Sequence, residues 1–293
     1  MIETRLLYYF LAIAREQSIT KAAETLHVTQ PTLSKQMMDL ERQLGRQLFI
    51  RGKRKIELTE YGIFLRGRAQ EMTELMEKTE SAFHGEDELI NGDISLGCGE
   101  TRAMDFITGI FREIHEDYPN ICFHIFSGNA DTVIERLDKG LLDMGLLLGP
   151  RHDERYDYIS LQRNDFFGIL MPKGCPLSQK ETVSFEDLKD LPLIFPEQSF
   201  SGADRLSWLG INDDAFHIVA TYNLIFNATF MVEQGIGYAF CLENLVDTSG
   251  KSSLTFRPLM PAVKVNLYIV TKKYPSFSPA AKIFLERLKK KLA

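Results

Sequence analysis

Residues 18–44, SITKAAETLHVTQPTLSKQMMDLERQL, hold two short amphipathic segments with only His27 and Val28 between them. Ser18 can accept a hydrogen bond from the first turn of one helix, and Ile19, Ala22, Ala23 and Leu26 follow at i, i+3, i+4 and i+7. Thr29 stands before Gln30 and Pro31, and proline suits a first helical turn because its missing N–H would have no partner there. Leu33, Met37, Leu40 and Leu44 form the second stripe. So short a gap makes the helices meet at a steep angle, the geometry of a helix-turn-helix. The other face of the second helix carries Thr32, Ser34, Lys35, Met38 and Arg42, polar and basic groups of a size to enter a DNA major groove. Periodicity alone favours a plain pair of core helices.

The next stretch separates the two readings. In LFIRGKRKIELTEYG, the basic residues Arg51, Lys53, Arg54 and Lys55 surround Gly52 between the β-prone pairs Phe49-Ile50 and Ile56-Leu58. A hairpin with a basic tip beside a helix-turn-helix is a wing, suited to phosphates or to the negative potential of a minor groove. Charge agrees. The chain carries −6 overall, yet residues 1–59 hold ten Lys or Arg against six Asp or Glu, a balance of +4 that leaves −10 for the remainder. A basic head on an acidic body points to double-stranded DNA as the partner of the head alone.

With 293 residues, 44 % of them hydrophobic, the chain can bury roughly two domain cores. No apolar run approaches the roughly 20 residues that cross a bilayer, and acidic Glu3 precedes an amphipathic first helix over residues 4–16. A cytoplasmic protein without membrane contact is expected. A helix from Glu60 to about Phe83 places Leu65, Ala69, Met72, Met76, Thr79 and Phe83 at alternating spacings of four and three, a coiled-coil seam that predicts a homodimer; packing of the stripe on its own head is the alternative. HGEDELINGD reads as a hinge, so the expected divisions are a head over 1–59, linker helix and hinge over 60–90, and a body over 91–293.

The body alternates strands and helices. DISLGCG, a helix over 101–117, ICFHIF, a helix over 130–139 closed by Gly140, and DMGLLLG make a βαβαβ unit with a parallel sheet. FFGILM, a short helix capped at Ser184, PLIF, a helix over 202–210, HIVATY, a helix over 223–235 and GIGYAF make a second unit. VKVNLYIVT and a basic amphipathic helix close the chain. Two such lobes share a crevice ringed by helix N-termini, whose unpaired N–H groups and positive dipole ends suit small anions. The loop residues placed to line it are Glu100, Thr101 and Arg102; Ser127, Gly128 and Asn129; Ser199 and Ser201; Tyr222 and Asn223. Taken singly, each is more often a helix cap than a ligand contact; their shared position is what points to a site.

Other chemistries find no support. The chain has no G-x-S-x-G, no assembled Ser-His-Asp set and no phosphate-binding glycine motif, so no catalytic residue, enzymatic activity or cofactor is expected. Cys98, Cys122, Cys175 and Cys241 form no C-x-x-C pair, and the six histidines form no H-E-x-x-H, so no metal is expected. Cys98, Cys122 and Cys241 lie in apolar strand-like stretches that predict buried packing; a redox-sensing cysteine is the alternative.

AAETLHVTQPTLSKQMMDLERQLGRQLFIR followed by LTEYG closely resembles the head of the LysR-type transcriptional regulators over about residues 5–66. YPNICFHIFSG, LDKGLLDMGLLLG and VEQGIGYAF resemble the family's effector domain. The resemblance implies an α/β protein with an N-terminal winged helix-turn-helix, a long dimerising linker helix and a two-lobed effector domain like periplasmic binding proteins, assembled as a homotetramer on promoter DNA. The implied lobes are 91–160 with 265–293, and 161–264. By position, Gln30, Thr32, Ser34 and Lys35 match the family's major-groove and phosphate contacts, and Arg51 and Arg54 its wing; Ser18, Thr29 and Lys53 complete the expected DNA-binding set. The family most often has arginine in place of Lys35, which lacks the guanidinium fork that reads guanine. Leu242 stands near a position where the family commonly has proline. The expected function is a DNA-binding regulator switched by a small anionic metabolite between the lobes. The rivals are a redox-sensing regulator, and a small-molecule-binding protein or enzyme with a tethering head.

Overall fold

Phe10, Ile13, Leu33, Met37, Leu40 and Leu48 lose essentially all solvent contact and so oblige three helices and a hairpin to close around them. The computed structural model describes residues 2–51, 55–83, 91–149, 153–197, 216–273 and 277–293. They fall into two compact units, Met1–Phe83 and His84–Ala293. The first contains α1 (Thr4–Glu16), α2 (Ile19–Thr25), α3 (Gln30–Leu44), strands β1 (Phe49–Arg51) and β2 (Ile56–Leu58), and α4 (Glu60–Phe83). Ser18 caps α2 by accepting from the Lys21 N–H, Thr29 caps α3 by accepting from Thr32, and Gly45 closes α3 at a positive φ of 65°.

The hairpin pairs Phe49 with Leu58, Ile50 with Glu57 and Arg51 with Ile56, antiparallel. Its tip, with Lys53, Arg54 and the Arg51 side chain, lies outside the described residues. Two side chains hold its base. Glu41 of α3 accepts from the N–H groups of Leu48 (2.7 Å) and Phe49 (3.3 Å). Thr59 donates to the Gln47 carbonyl (2.7 Å) and accepts from the Gly62 N–H (3.0 Å), capping α4 in the same gesture. Gly62 is required by close approach: a Cβ there would lie 2.2 Å from the Leu48 carbonyl oxygen.

The expected seam on α4 divides. Leu65 and Ala69 are buried in the head core with α1, as is Thr73, whereas Met72, Leu75 and Met76 are exposed. Tyr8 of α1 donates to Glu77 of α4 (3.1 Å), extending the tie between the two helices. The first half of the stripe therefore packs on its own head, as the alternative reading had it.

In the second unit, β3 (Gly92–Cys98), α5 (Met104–Asp117), β4 (Ile121–Ser127), α6 (Ala130–Asp138) and β5 (Met144–Leu148) form one lobe, with β3 parallel to both β4 and β5. Next comes β6 (Tyr156–Pro172), 17 residues long, where only FFGILM was expected as strand. The second lobe has β7 (Pro192–Pro196) parallel to β8 (His217–Tyr222) and β9 (Tyr238–Leu242), with α7 (Ile225–Glu233) between the last two. The helix expected over 202–210 lies outside the described residues. An unexpected strand, β10 (Leu254–Pro258), pairs antiparallel with the end of β6, and β11 (Lys264–Lys272) and α8 (Pro279–Leu292) return to the first lobe.

The sheet is thus mixed rather than parallel throughout, in the order β4-β3-β5-β11-β6-β9-β7-β8 with β10 beside β6. The first ten or so residues of β6 pair with β11 and the last six with β9 and β10, so the lobe boundary placed at 160–161 falls within one continuous strand. Ile94, Leu96, Ile107, Ile110 and Phe284 fill the first lobe between sheet, α5 and α8. In the second, the Phe240 ring stacks on Phe195 (4.8 Å) and Phe167 (4.7 Å).

Because helix and carbonyl must part to admit even a methyl group, Gly62→Ala is expected to cost the head about 1–3 kcal/mol. Chemical denaturation of the full chain checks this: the head transition moves to lower denaturant while that of the second unit stays in place.

Candidate nucleic-acid interface and effector cleft

On α3, burial of Leu33, Met37 and Leu40 against α1 leaves the opposite face to solvent. Gln30, Thr32 and Lys35 are exposed there, Ser34 is half-buried, and Met38 is exposed on the next turn. Thr29 and Thr32 also share a hydroxyl–hydroxyl bond of 2.8 Å at the helix start. Ser18 and Thr29 use their side-chain oxygens as caps, so their place in the set is to hold the two helices at their angle. Arg42 is held by Asp39 at 2.7 Å. Short polar groups on the first turns of an exposed helix, with the base of a wing fixed beside them by Glu41, form a face able to meet DNA. Glu41 carried no signal in the sequence beyond its position at the edge of the apolar stripe.

In the second unit a cleft lies between the lobes. Gly99, Glu100, Gly128 and Leu148 line it from the first lobe, Phe167 from the crossing strand, and Pro196, Tyr222, Asn223, Ile225, Leu242 and Leu245 from the second. Glu100, Gly128, Tyr222 and Asn223 are thus brought together as expected. The apolar walls were not foreseen, although they stand at strand ends. Among the described lining residues, Glu100 is the one charged side chain, and its carboxylate accepts from the Ile225 N–H at 2.5 Å. A carboxylate of one lobe therefore occupies the first turn of a helix in the other. Burial raises the Glu100 pKa above the usual carboxylate range, and the Ile225 N–H partly offsets this.

The remaining expected contacts lie elsewhere. Thr101 is buried, and its hydroxyl donates to Asp165 of β6 at 2.5 Å while accepting from the Ala103 N–H at 3.1 Å. Asp165 is itself buried; desolvation raises its pKa against the opposing pull of the Thr101 hydroxyl and the Arg102 N–H. Arg102 and Ser127 are exposed outside these walls, and Asn129 caps α6 by accepting from Thr132 at 2.9 Å. Ser199 and Ser201 lie outside the described residues. Tyr222 donates to the Phe240 carbonyl at 2.7 Å, and Asn223 accepts from Leu224 at 2.9 Å.

Residues 4–63 match the bacterial regulatory helix-turn-helix protein family of lysR type, and residues 87–293 match the LysR substrate binding domain. The chain belongs to the LysR family of transcriptional regulators. It is 32 % identical over 191 residues, 64 % of either chain, to the HTH-type transcriptional regulator YybE of Bacillus subtilis. It is 24 % identical to the Hca operon transcriptional activator HcaR of Escherichia coli, covering 100 % of this chain and 99 % of that one. The crystal structure of full-length CbnR with its target DNA superposes with a TM-score of 0.77 at 21 % identity, covering both chains completely, and so shares the fold.

This LysR-family protein is accordingly a DNA-binding transcriptional regulator with an effector-binding domain. No helix among its described residues is long and apolar enough to cross a membrane. Two of its cysteines behave as the sequence predicted: Cys98 and Cys241 are buried, and desolvation pushes their thiols up to about 11 and about 12, so both stay protonated at neutral pH. Cys122 does not. It is exposed, because β4 is an edge strand and its alternation turns residues 122 and 124 away from the core.

Glu100 and Asp165 both have native pKa values above those of the unfolded chain, so the folded protein binds more protons just above the ordinary carboxylate range. Their contribution to stability is complete below that range and is lost as pH rises through the native values. Asp165→Asn should flatten this fall. Thermal midpoints of the effector-domain transition, taken across mildly acidic to neutral pH, check it; an unchanged slope would exclude Asp165 as a source.

Proposed function

We propose that this regulator reads promoter DNA through Gln30, Thr32, Ser34 and Lys35 on α3 and through Arg51, Lys53 and Arg54 on the wing, and that a small anionic metabolite in the inter-lobe cleft switches it. The observation that carries the second part is the Glu100 carboxylate on the Ile225 N–H. The N–H at the start of α7 favours a carboxylate against the desolvation of the cleft, and it makes the occupant one end of a contact between the lobes. An incoming carboxylate that takes the Ile225 N–H displaces Glu100 and replaces a direct lobe-to-lobe bond with a ligand-mediated one. Such a ligand shifts the equilibrium only by its difference in affinity for the two arrangements.

On this reading Glu100 competes with the effector. Glu100→Ala is expected to raise affinity for active members of a panel of mono- and dicarboxylates several-fold, read by thermal shift and calorimetry on the full chain. Unchanged or lost affinity in that variant would sink the displacement mechanism.

The DNA part divides by role. Ser34→Ala is expected to weaken binding to the specific promoter by about 1–3 kcal/mol and to leave non-specific binding alone, whereas Lys53→Ala weakens both and reduces the salt slope by about one. Mobility-shift titrations across salt concentrations measure both effects, and equal losses on every sequence refute the division.

The assembly proposed is a homodimer through α4 that pairs into a homotetramer on DNA. Exposed Met72, Leu75 and Met76 support it, since they leave apolar surface on the side of α4 that the head does not cover. Met76→Glu is expected to lower the mass seen in sedimentation; an unchanged mass places the dimer contact elsewhere.

A further inference from the structure

The edge strand β4 turns two metal-ligating side chains outward beside a third on β3. Cys122 and His124 are two residues apart and so share one face of the sheet. Asp93 stands directly opposite Cys122 in the parallel register of β3 and β4. The ligand atoms of Asp93, Cys122 and His124 all lie within 4.8 Å of one another, and His124 Nε2 is 3.3 Å from Asp93 Oδ1.

We propose that Asp93, Cys122 and His124 form a binding site for a divalent transition-metal ion of the zinc class. Two ligand atoms bound at about 2.0–2.1 Å to a tetrahedral centre stand roughly 3.3 Å apart, which is the Nε2–Oδ1 separation here. Thiolate, imidazole and carboxylate together select zinc-like ions over magnesium or calcium, which take all-oxygen shells. Three protein ligands leave a fourth position for water or an outside donor, and exposure on an edge strand supplies the route to it. The backbone holds the set in place. Ile121 is buried in the first lobe's core and Phe123 stacks on Phe111 at 4.4 Å, so β4 cannot rotate its ligand face away. The rival arrangement is a solvent-exposed Asp93–His124 ion pair with a bystander thiol; it gives Cys122 no role.

The sequence hid this site because C-x-H is not a spacing associated with metal, and its third ligand lies 29 residues earlier. Only strand pairing brings them together. The site lies at the start of β3, whereas Glu100 follows the end of that strand, so a bound ion would tie the edge strand to the strand that leads into the cleft.

The test uses the full-length protein, first with Zn²⁺ in competition with a chromophoric chelator and then with Co²⁺ as a spectroscopic probe. Expected are one ion per chain at micromolar affinity or tighter, visible d–d bands with a near-ultraviolet thiolate-to-cobalt band, and a raised effector-domain thermal midpoint. Cys122→Ser and His124→Ala should each weaken binding at least roughly tenfold and remove or shift those bands, while Cys175→Ser binds as the parent does. Both ligand positions are exposed, and an unchanged midpoint without metal confirms that each variant is folded. Absence of binding at tens of micromolar Zn²⁺, binding that survives both substitutions, or a cobalt complex without a thiolate band overturns the site.

Discussion

The carboxylate of Glu100 is the point at which the two lobes of the effector domain meet as chemistry rather than as packing. It leaves the end of a strand in one lobe and ends on the first turn of α7 in the other, where an unpaired N–H and the helix dipole favour negative charge. Around it the cleft is apolar, lined by Leu148, Phe167, Ile225, Leu242 and Leu245. Low polarity strengthens this hydrogen bond and raises the cost of leaving either partner without the other. A contact that is strong when made and expensive when broken gives two lobes discrete arrangements instead of a continuum.

The next residue shows how tightly the strand end is held. Thr101 turns inward to Asp165 on β6, the strand shared by both lobes. Glu100 therefore projects from an anchored loop, one residue away from a buried hydrogen bond to the element that joins the lobes. Replacing its hydrogen bond with a ligand's would act on a backbone anchored one residue away by the Thr101–Asp165 bond.

Much of the head could be read directly because its determinants are local. Caps at Ser18 and Thr29, two apolar stripes and a basic hairpin are all patterns within a few residues, and the structure realises the caps, the stripes and the paired strands of the hairpin. What escaped depends on distant pairs. Glu41 matters because the wing folds back onto α3, and Gly62 because α4 passes over the Leu48 carbonyl. Thr101 looked like a loop residue facing a cleft until β6 placed Asp165 against it. The length of β6 was concealed by polar residues such as Arg163 and Asn164, which interrupt its alternation where it passes between the lobes. Cys122 resembles a core residue in its stretch of sequence, and only its strand's place at the sheet edge turns it outward.

A resident acid also bears on specificity. In an effector domain that carries −5 over residues 91–293, a cleft with a fixed positive charge would take up anions indiscriminately, whereas on the proposed displacement one already satisfied by its own carboxylate accepts only a ligand that does better than Glu100. That ligand must match the Ile225 N–H and, in addition, cover apolar surface that Glu100 leaves bare, because the hydrogen bond alone is an even exchange. The net gain then comes from the hydrophobic part of the molecule, at about 25 cal/mol for each Å² removed from water, and the carboxylate supplies orientation. On the proposed displacement, such a site discriminates by the shape of the apolar tail rather than by charge.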